Sequence, residues 1–279
     1  MRLTFGLLCL LALNTPAFAQ DADTQPTPPV VNRDRLTLGL AVAVSPSYEG
    51  SDNYRLSPGG LLQGEVSGFS FAARGTNFYI DLIREAPRSK IDIVAGPVVQ
   101  LRLERNGNIR DPQVAALGKI KPALELGGYA GIGTSGVINP FDKLQFDVSY
   151  RADVSGIHNS ALVSPTISYV TPLSRRTLAL LAVSAEHVGR KYGQTYFDVP
   201  TTANASGLAP YAVQGAGWKS AGGNLLLVQS LGPDIRKGWS VFAFGGYSKL
   251  IGQYARSPIV ADAGSADQFI GFAGLAYSF

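Results

Sequence analysis

Between positions 143 and 155 the chain reads KLQFDVSYRADVS, and alternate residues fall into two sets. Leu144, Phe146, Val148, Tyr150, Ala152 and Val154 form the apolar set; Lys143, Gln145, Asp147, Ser149, Arg151, Asp153 and Ser155 form the polar one. A period of two predicts a β-strand, because successive side chains point to opposite faces of a sheet. A helical turn of 100° per residue would mix the two sets on every face. Two environments suit such a strand. In a soluble sheet the apolar face meets a protein core; in an outer-membrane barrel it meets lipid while the charged face lines the lumen.

The same alternation predicts strands at 35–44, 56–65, 69–74, 77–83, 90–104, 119–134, 143–155, 161–171, 177–188, 217–231, 239–250 and 268–279. That makes twelve, or ten if the pair between Phe69 and Ile83 is merged or dropped. An even number returns the chain to the side from which it started. The connections after even strands are short (84–89, 136–140, 172–176, 232–238). Several after odd strands are long (46–55, 105–118, 189–215, 251–267), with 189–215 an irregular stretch. Short periplasmic turns and long outer loops are the asymmetry of a transmembrane barrel.

Composition moves the choice toward lipid. Charged residues make up 16% of the chain, against roughly 25% in soluble domains. Glycine is abundant, and beyond the first twenty residues no apolar run reaches the length of a membrane-spanning helix. The first residues, MRLTFGLLCLLALNTPAFAQ, read as a secretory leader: Arg2, an apolar run, a break at Asn14 to Pro16, and Ala17-Phe18-Ala19, with cleavage expected after Ala19. Cys9 follows Leu8 inside the apolar run, which argues against a lipid anchor. Cleavage removes the only cysteine, so neither disulfides nor thiol chemistry are expected. Residues 20–34, with Pro26, Pro28 and Pro29, read as a flexible periplasmic lead-in. The expected organisation is leader 1–19, lead-in 20–34 and barrel 35–279.

The last strand, QFIGFAGLAYSF, puts Leu275, Tyr277 and Phe279 on one face. An alternating strand closed by an aromatic residue is the expected closing strand of a barrel, and it resembles the signal read by the bacterial barrel-assembly machinery. The fold expected is therefore all-β: a closed antiparallel transmembrane β-barrel in the outer membrane of a Gram-negative bacterium, in contact with outer-membrane lipid and lipopolysaccharide.

Chemistry is sparse. Net charge is +4 without a basic block, which gives nucleic-acid binding no support. No His/Cys/Asp/Glu cluster has metal-ligand spacing, and no cofactor motif is present. The glycines at 127, 128, 131 and 133 lie within a strand, where they relieve crowding rather than cradle phosphate. His158-Asn159-Ser160, with Glu186 two strands on, is the one hydrolase candidate; Asn and Ser beside a glycine are also ordinary turn residues. Lumen-facing charges are expected at Lys90, Asp92, Arg102, Glu104, Lys121, Glu125, Lys143, Asp147, Arg151 and Asp153. Their signs nearly balance, which fits either a salt-bridge network filling the barrel or a polar pore.

Three loop segments carry a resemblance. Pro46-Ser47-Tyr48-Glu49-Gly50-Ser51 is similar to the P-x-Y-x-G-S opening of the MltA-interacting protein (MipA)/OmpV family. Tyr192-Gly193-Gln194-Thr195-Tyr196-Phe197 resembles its Y-G-x-x-Y-F segment, and Ser257-Pro258-Ile259-Val260, with Gly264, Ser265 and Gln268, its last loop. The resemblance implies a non-enzymatic outer-membrane barrel. In that family the named member scaffolds a lytic murein transglycosylase together with a peptidoglycan synthase, and other members are adhesins or respond to antibiotic and osmotic stress. A passive channel or small-molecule-binding barrel is the alternative, and a lipid hydrolase a third.

Overall fold

The computed structural model describes residues 34–279 apart from 75, 85–89, 108 and 234, so the leader, its cleavage site and nearly all of the lead-in lie outside the described residues. Twelve strands follow in order: β1 Arg35–Pro46, β2 Tyr54–Val66, β3 Phe69–Arg74, β4 Asn77–Asp81, β5 Ile91–Arg102, β6 Ala123–Ser135, β7 Lys143–Asp153, β8 Ala161–Pro172, β9 Thr177–Val188, β10 Gly217–Ser230, β11 Gly238–Leu250 and β12 Asp267–Ser278. Each pairs antiparallel with its sequence neighbours, and β1 pairs with β12 to close the barrel, Leu40 opposite Leu275. Closure removes the two free edges that an open sheet would expose.

The faces of β7 settle what surrounds the wall. Phe146, Val148 and Tyr150 point outward and are exposed, while Gln145, Asp147, Ser149 and Arg151 point inward and are buried. Leu40, 80% exposed, and Leu56, 71% exposed, repeat the arrangement on β1 and β2. Apolar residues outside and polar ones inside invert a soluble protein, and lipid is the solvent that permits it. Aromatic residues mark both ends of this belt. Trp239, Tyr277 and Phe279 pack edge to face at the short-turn end, with centroids 5.1 and 4.8 Å apart. At the other end His187 meets Trp218 and Tyr247 meets Phe269. Such girdles sit at the two bilayer interfaces.

The long loops differ most from expectation. The stretch 189–215 is not irregular throughout: Arg190–Phe197 forms a helix, Asn204–Ser206 a 3-10 turn, and Val199 bridges Tyr211. The helix buries Tyr192, Gly193, Tyr196 and Phe197, a one-sided spacing that a period-two reading passes over. With α1 Pro112–Ala116 placed earlier in the chain, this helix is α2; α3 Gly252–Ala255 and α4 Pro258–Ala261 follow in the loop before β12. Asp111 caps α1 by accepting from the Val114 N–H at 2.9 Å. β5 ends at Arg102 and β6 begins at Ala123, so both are shorter at their outer ends than predicted.

Candidate functional site

The outer end of the lumen holds a buried ionic network. Strand ends deliver its members: Arg102 from β5, Glu125 from β6, Arg151 from β7, Glu186 from β9 and Lys219 from β10. Glu49 comes from the β1–β2 loop and His158 from the β7–β8 loop. Arg102 grips Glu125 through two nitrogens, Nη2 to Oε2 at 3.0 Å and Nε to Oε1. Its Nη2 also lies 3.4 Å from Glu186 Oε1, and Arg151 Nη2 donates to the same oxygen at 3.1 Å. Lys219 Nζ bridges Glu186 at 2.5 Å and Glu49 at 2.7 Å. His158 Nε2 faces Glu125 Oε1 at 3.2 Å. Three carboxylates thus meet two guanidinium groups and one lysine amine. Charges this deep persist only when paired and hydrogen-bonded on several sides.

A cap of loops keeps water from the network. Tyr192 of α2 stands at its centre, accepting from Arg102 Nη1 at 3.0 Å and donating to Glu49 at 3.3 Å, while His158 and Tyr196 pack on its ring. Tyr48 donates to the Ala263 carbonyl at 2.6 Å, and Ser257 to the Phe197 carbonyl at 2.6 Å. Gly50 N–H donates to Gln268 at 3.1 Å, and the Gly50 carbonyl accepts from the Ser265 N–H at 2.8 Å. Gly50 has a φ of +92°, and a Cβ on Gly264 would overlap the Gly50 carbonyl, so both positions need glycine. Pro46, Tyr48, Gly50, Ser51, Tyr192, Gly193, Tyr196, Phe197, Ser257 and Pro258 are all buried in this cap. Three segments far apart in sequence therefore build one object.

Arg105 also lies under the cap, donating to the carbonyls of Leu117 and Gly118. Burial lowers its pKa to about 10 against the opposing influence of Tyr48 and Tyr196, so it stays charged at neutral pH. Burial, followed by Asp111, pushes the Tyr48 hydroxyl up.

Six of the ten expected lumen charges occupy inward positions on strands: Asp92, Arg102, Glu125, Lys143, Asp147 and Arg151. Lys143 pairs with Asp92 near the short-turn end. Asp147 is fully buried and accepts from Gln145 at 3.1 Å. The other four lie at the strand ends or beyond them. Lys90 and Lys121 fall just outside β5 and β6 and are exposed, because pairing begins only at Ile91 and Ala123. Glu104 is buried beyond the end of β5, accepting from the Glu49 N–H at 2.9 Å. Asp153 organises the next turn by accepting from the backbone of Ser155, His158 and Asn159. Leu275, Tyr277 and Phe279 lie on the outward face of the closing strand and at its end.

The hydrolase candidate is not assembled. His158 turns to Glu125 and the two tyrosines. Among the described residues no hydrogen bond joins it to Ser160, whose hydroxyl lies against Gly189. Lys219 escaped the sequence reading because a register shift between Trp218 and Ser220 breaks the alternation there. Its one visible signal was being the only charge in its strand.

Below the network an apolar cluster of Tyr79, Val94, Val98, Tyr129, Val170, Leu178, Leu180, Leu226 and Phe242 lies among buried polar side chains such as Gln100, Asp147 and Thr166. A closed barrel with a lipid-facing belt, two aromatic girdles and a charge-filled outer lumen is an outer-membrane β-barrel. The profile of the MltA-interacting protein MipA family matches residues 38–279, and the chain belongs to that family. No curated protein matches the chain. Among solved structures it is similar to an outer membrane channel from Pseudomonas putida F1, at 12% identity and a TM-score of 0.44, over 92% of this chain and 100% of that one. It is also similar to the CymD monoaromatic hydrocarbon channel, at 11% identity and a TM-score of 0.38, over 88% of each chain. Neither likeness bears on what this barrel binds or passes.

Proposed function

We propose that the protein is a non-enzymatic envelope scaffold, holding murein-hydrolysing and murein-synthesising enzymes at the outer membrane through its periplasmic turns. The observation that carries this reading is axial closure. The outer mouth is sealed by the cap over a paired ionic network, and below it apolar side chains such as Val98 and Leu226 and polar ones such as Gln100, Ser149 and Thr166 are buried together. Steady ion flow needs a continuous wet, polar path, and the sealed outer mouth interrupts it. The periplasmic turns have the character of docking points. In the β6–β7 turn, Asp142 accepts from the N–H groups of Val137, Ile138 and Asn139 and from the Tyr169 hydroxyl. This fixes a tip on which Val137 and Ile138 stay exposed. Leu173 and Leu231 are exposed on neighbouring turns. The family description, an MltA-interacting protein, supports a murein transglycosylase as the partner class.

In this reading the leader is cleaved after Ala19, residues 20–34 form a periplasmic lead-in, and the barrel-assembly machinery engages the closing strand at Phe279. The test is affinity capture of the protein from envelope extract, combined with conductance in planar bilayers. Murein enzymes in the eluate and a silent bilayer are expected; a steady open pore with no such enzyme would overturn the proposal. One feature favours a second reading, a gated channel: the outer seal is made by loops, which can move without breaking the wall. Conductance that appears when the loop 189–216 is replaced by a short turn would favour it.

A further inference from the structure

The barrel wall is uneven in height. β2 is 13 residues long, but β3 beside it has 6 and β4 has 5. Pairing between β2 and β3 stops at Leu61 opposite Arg74. Among the described residues, then, Tyr54 through Gly60 have no strand neighbour on that side. At about 3.3 Å per residue this is roughly 20 Å of open edge in the outer half of the wall. Pro58 lies on it, and proline within a sheet is confined to edges because it lacks the ladder donor.

The lumen behind this edge is filled differently from the rest. On β5 to β9 the inward side chains are almost completely buried, among them Val94, Asp147, Ser164 and Leu180. On β2 itself and on β1, β12 and β11, the next strands round the wall, Ala41, Ala43, Ser57, Gly59, Phe244 and Phe272 point inward yet stay partly accessible. A Cβ on Gly59 would meet nothing closer than Ala41 Cβ at 3.7 Å. Phe244 and Phe272 stack flat at 4.4 Å as an aromatic wall. Buried Ser45, Leu250 and Gln268 close the space toward the cap, and buried Phe242 and Ala276 close it toward the periplasm. The side left toward the bilayer is the open β2 edge.

One cation stands at the outer end of this chamber. Arg55 is the first inward residue of β2, opposite Ser45, and its Nε is buried without a hydrogen-bond partner among the described residues. Gly107 of the β5–β6 loop packs against its guanidinium. We propose that the chamber binds a single-chain anionic amphiphile, a long-chain carboxylate taken sideways from the bilayer. Its chain lies along Ala41, Ala43, Gly59 and the Phe244–Phe272 pair, and its carboxylate meets Arg55. A chain already dissolved in lipid gains little from another apolar surface. Selectivity therefore comes from the charge-assisted bond to Arg55 in a low-dielectric setting.

The test uses the intact barrel in phospholipid nanodiscs with a diazirine-bearing palmitate, and maps adducts by peptide mass spectrometry. Adducts are expected on the β1, β2 and β12 peptides at inward positions, competed at least tenfold better by palmitate than by hexadecanol. Gly59→Phe and Ala43→Phe, each checked for folding by heat-modifiable gel migration, are expected to lose labelling at least tenfold. Leu56→Ala, on the lipid face of the same strand, keeps it. Arg55→Gln retains chain labelling but loses the preference for acid over alcohol, a readout that stands even where a phenylalanine variant fails to fold. Adducts confined to lipid-facing positions, undiminished labelling in a folded filled variant, or equal competition by acid and alcohol would each overturn the proposal.

Discussion

Replacing Glu125 with leucine tests whether the ionic network is a balanced unit. Glu125 is fully buried and takes the bidentate grip of Arg102, with Arg151 Nε at 3.5 Å and His158 at 3.2 Å. Its loss leaves Glu49 and Glu186 facing Arg102, Arg151 and Lys219, one buried cation in excess. Removing one partner of a buried pair costs about 3–5 kcal/mol, most of it for the charge left behind. With a urea slope of about 3 kcal/mol/M, the unfolding midpoint should fall by roughly 1–1.7 M. The assay is urea titration of the barrel in lipid vesicles, followed by tryptophan fluorescence and by gel migration. The decisive comparison is Glu125→Leu/Arg102→Leu, which restores the balance. If the charge argument holds, the double variant is more stable than the single one. A midpoint for Glu125→Leu within about 0.2 M of wild type, or a double variant whose losses simply add, would refute the reasoning.

Three further outcomes are expected. Phe279→Ser should lower the amount of heat-modifiable, folded barrel in the outer membrane without altering export across the inner one; normal accumulation would contradict the role given to the closing strand. His158→Ala and Ser160→Ala should leave lipid A and phospholipid profiles unchanged, whereas loss of a deacylated species in either would restore the hydrolase. In the β6–β7 turn, burial pushes the Asp142 carboxyl up, but the Tyr169 hydroxyl and the N–H groups of Asn139, Ile138 and Val137 outweigh it and hold its pKa at about 2. A depressed carboxyl stabilises above its unfolded value, near 4, and loses that contribution as pH falls toward 2. Asp142→Asn should therefore lower the unfolding midpoint at pH 6 and lower it much less near pH 2; an equal deficit at both pH values would exclude this electrostatic origin.

Much of the barrel was legible from local pattern. The inward and outward sets of β7 are those read from the alternation at 143–155, because the pleat assigns faces by parity alone. Strand count, the short-turn and long-loop ends, and the closing pair of β1 with β12 follow from the same rhythm. The short β3–β4 hairpin, the weakest part of the pattern, is present as two strands. The cap segments were visible as motifs, but nothing in their letters said that Tyr48, Phe197 and Ser257 meet.

What the sequence determined by itself is the set of properties that depend on neighbours one or two residues away: strand, face, turn, and the preference of each face for lipid or for lumen. The tertiary structure alone decided which charges pair. Arg102, Glu125, Arg151, Glu186 and Lys219 sit on five strands, and their meeting depends on barrel closure and on a register shift at Trp218 that parity cannot reveal. It also decided that α2 helps seal the lumen and that, among the described residues, the outer half of β2 has no strand partner on its β3 side. The second is a consequence of how high each neighbouring strand rises in the closed wall. That height is set by hydrogen-bond register between strands, a non-local quantity that no single stretch of chain contains.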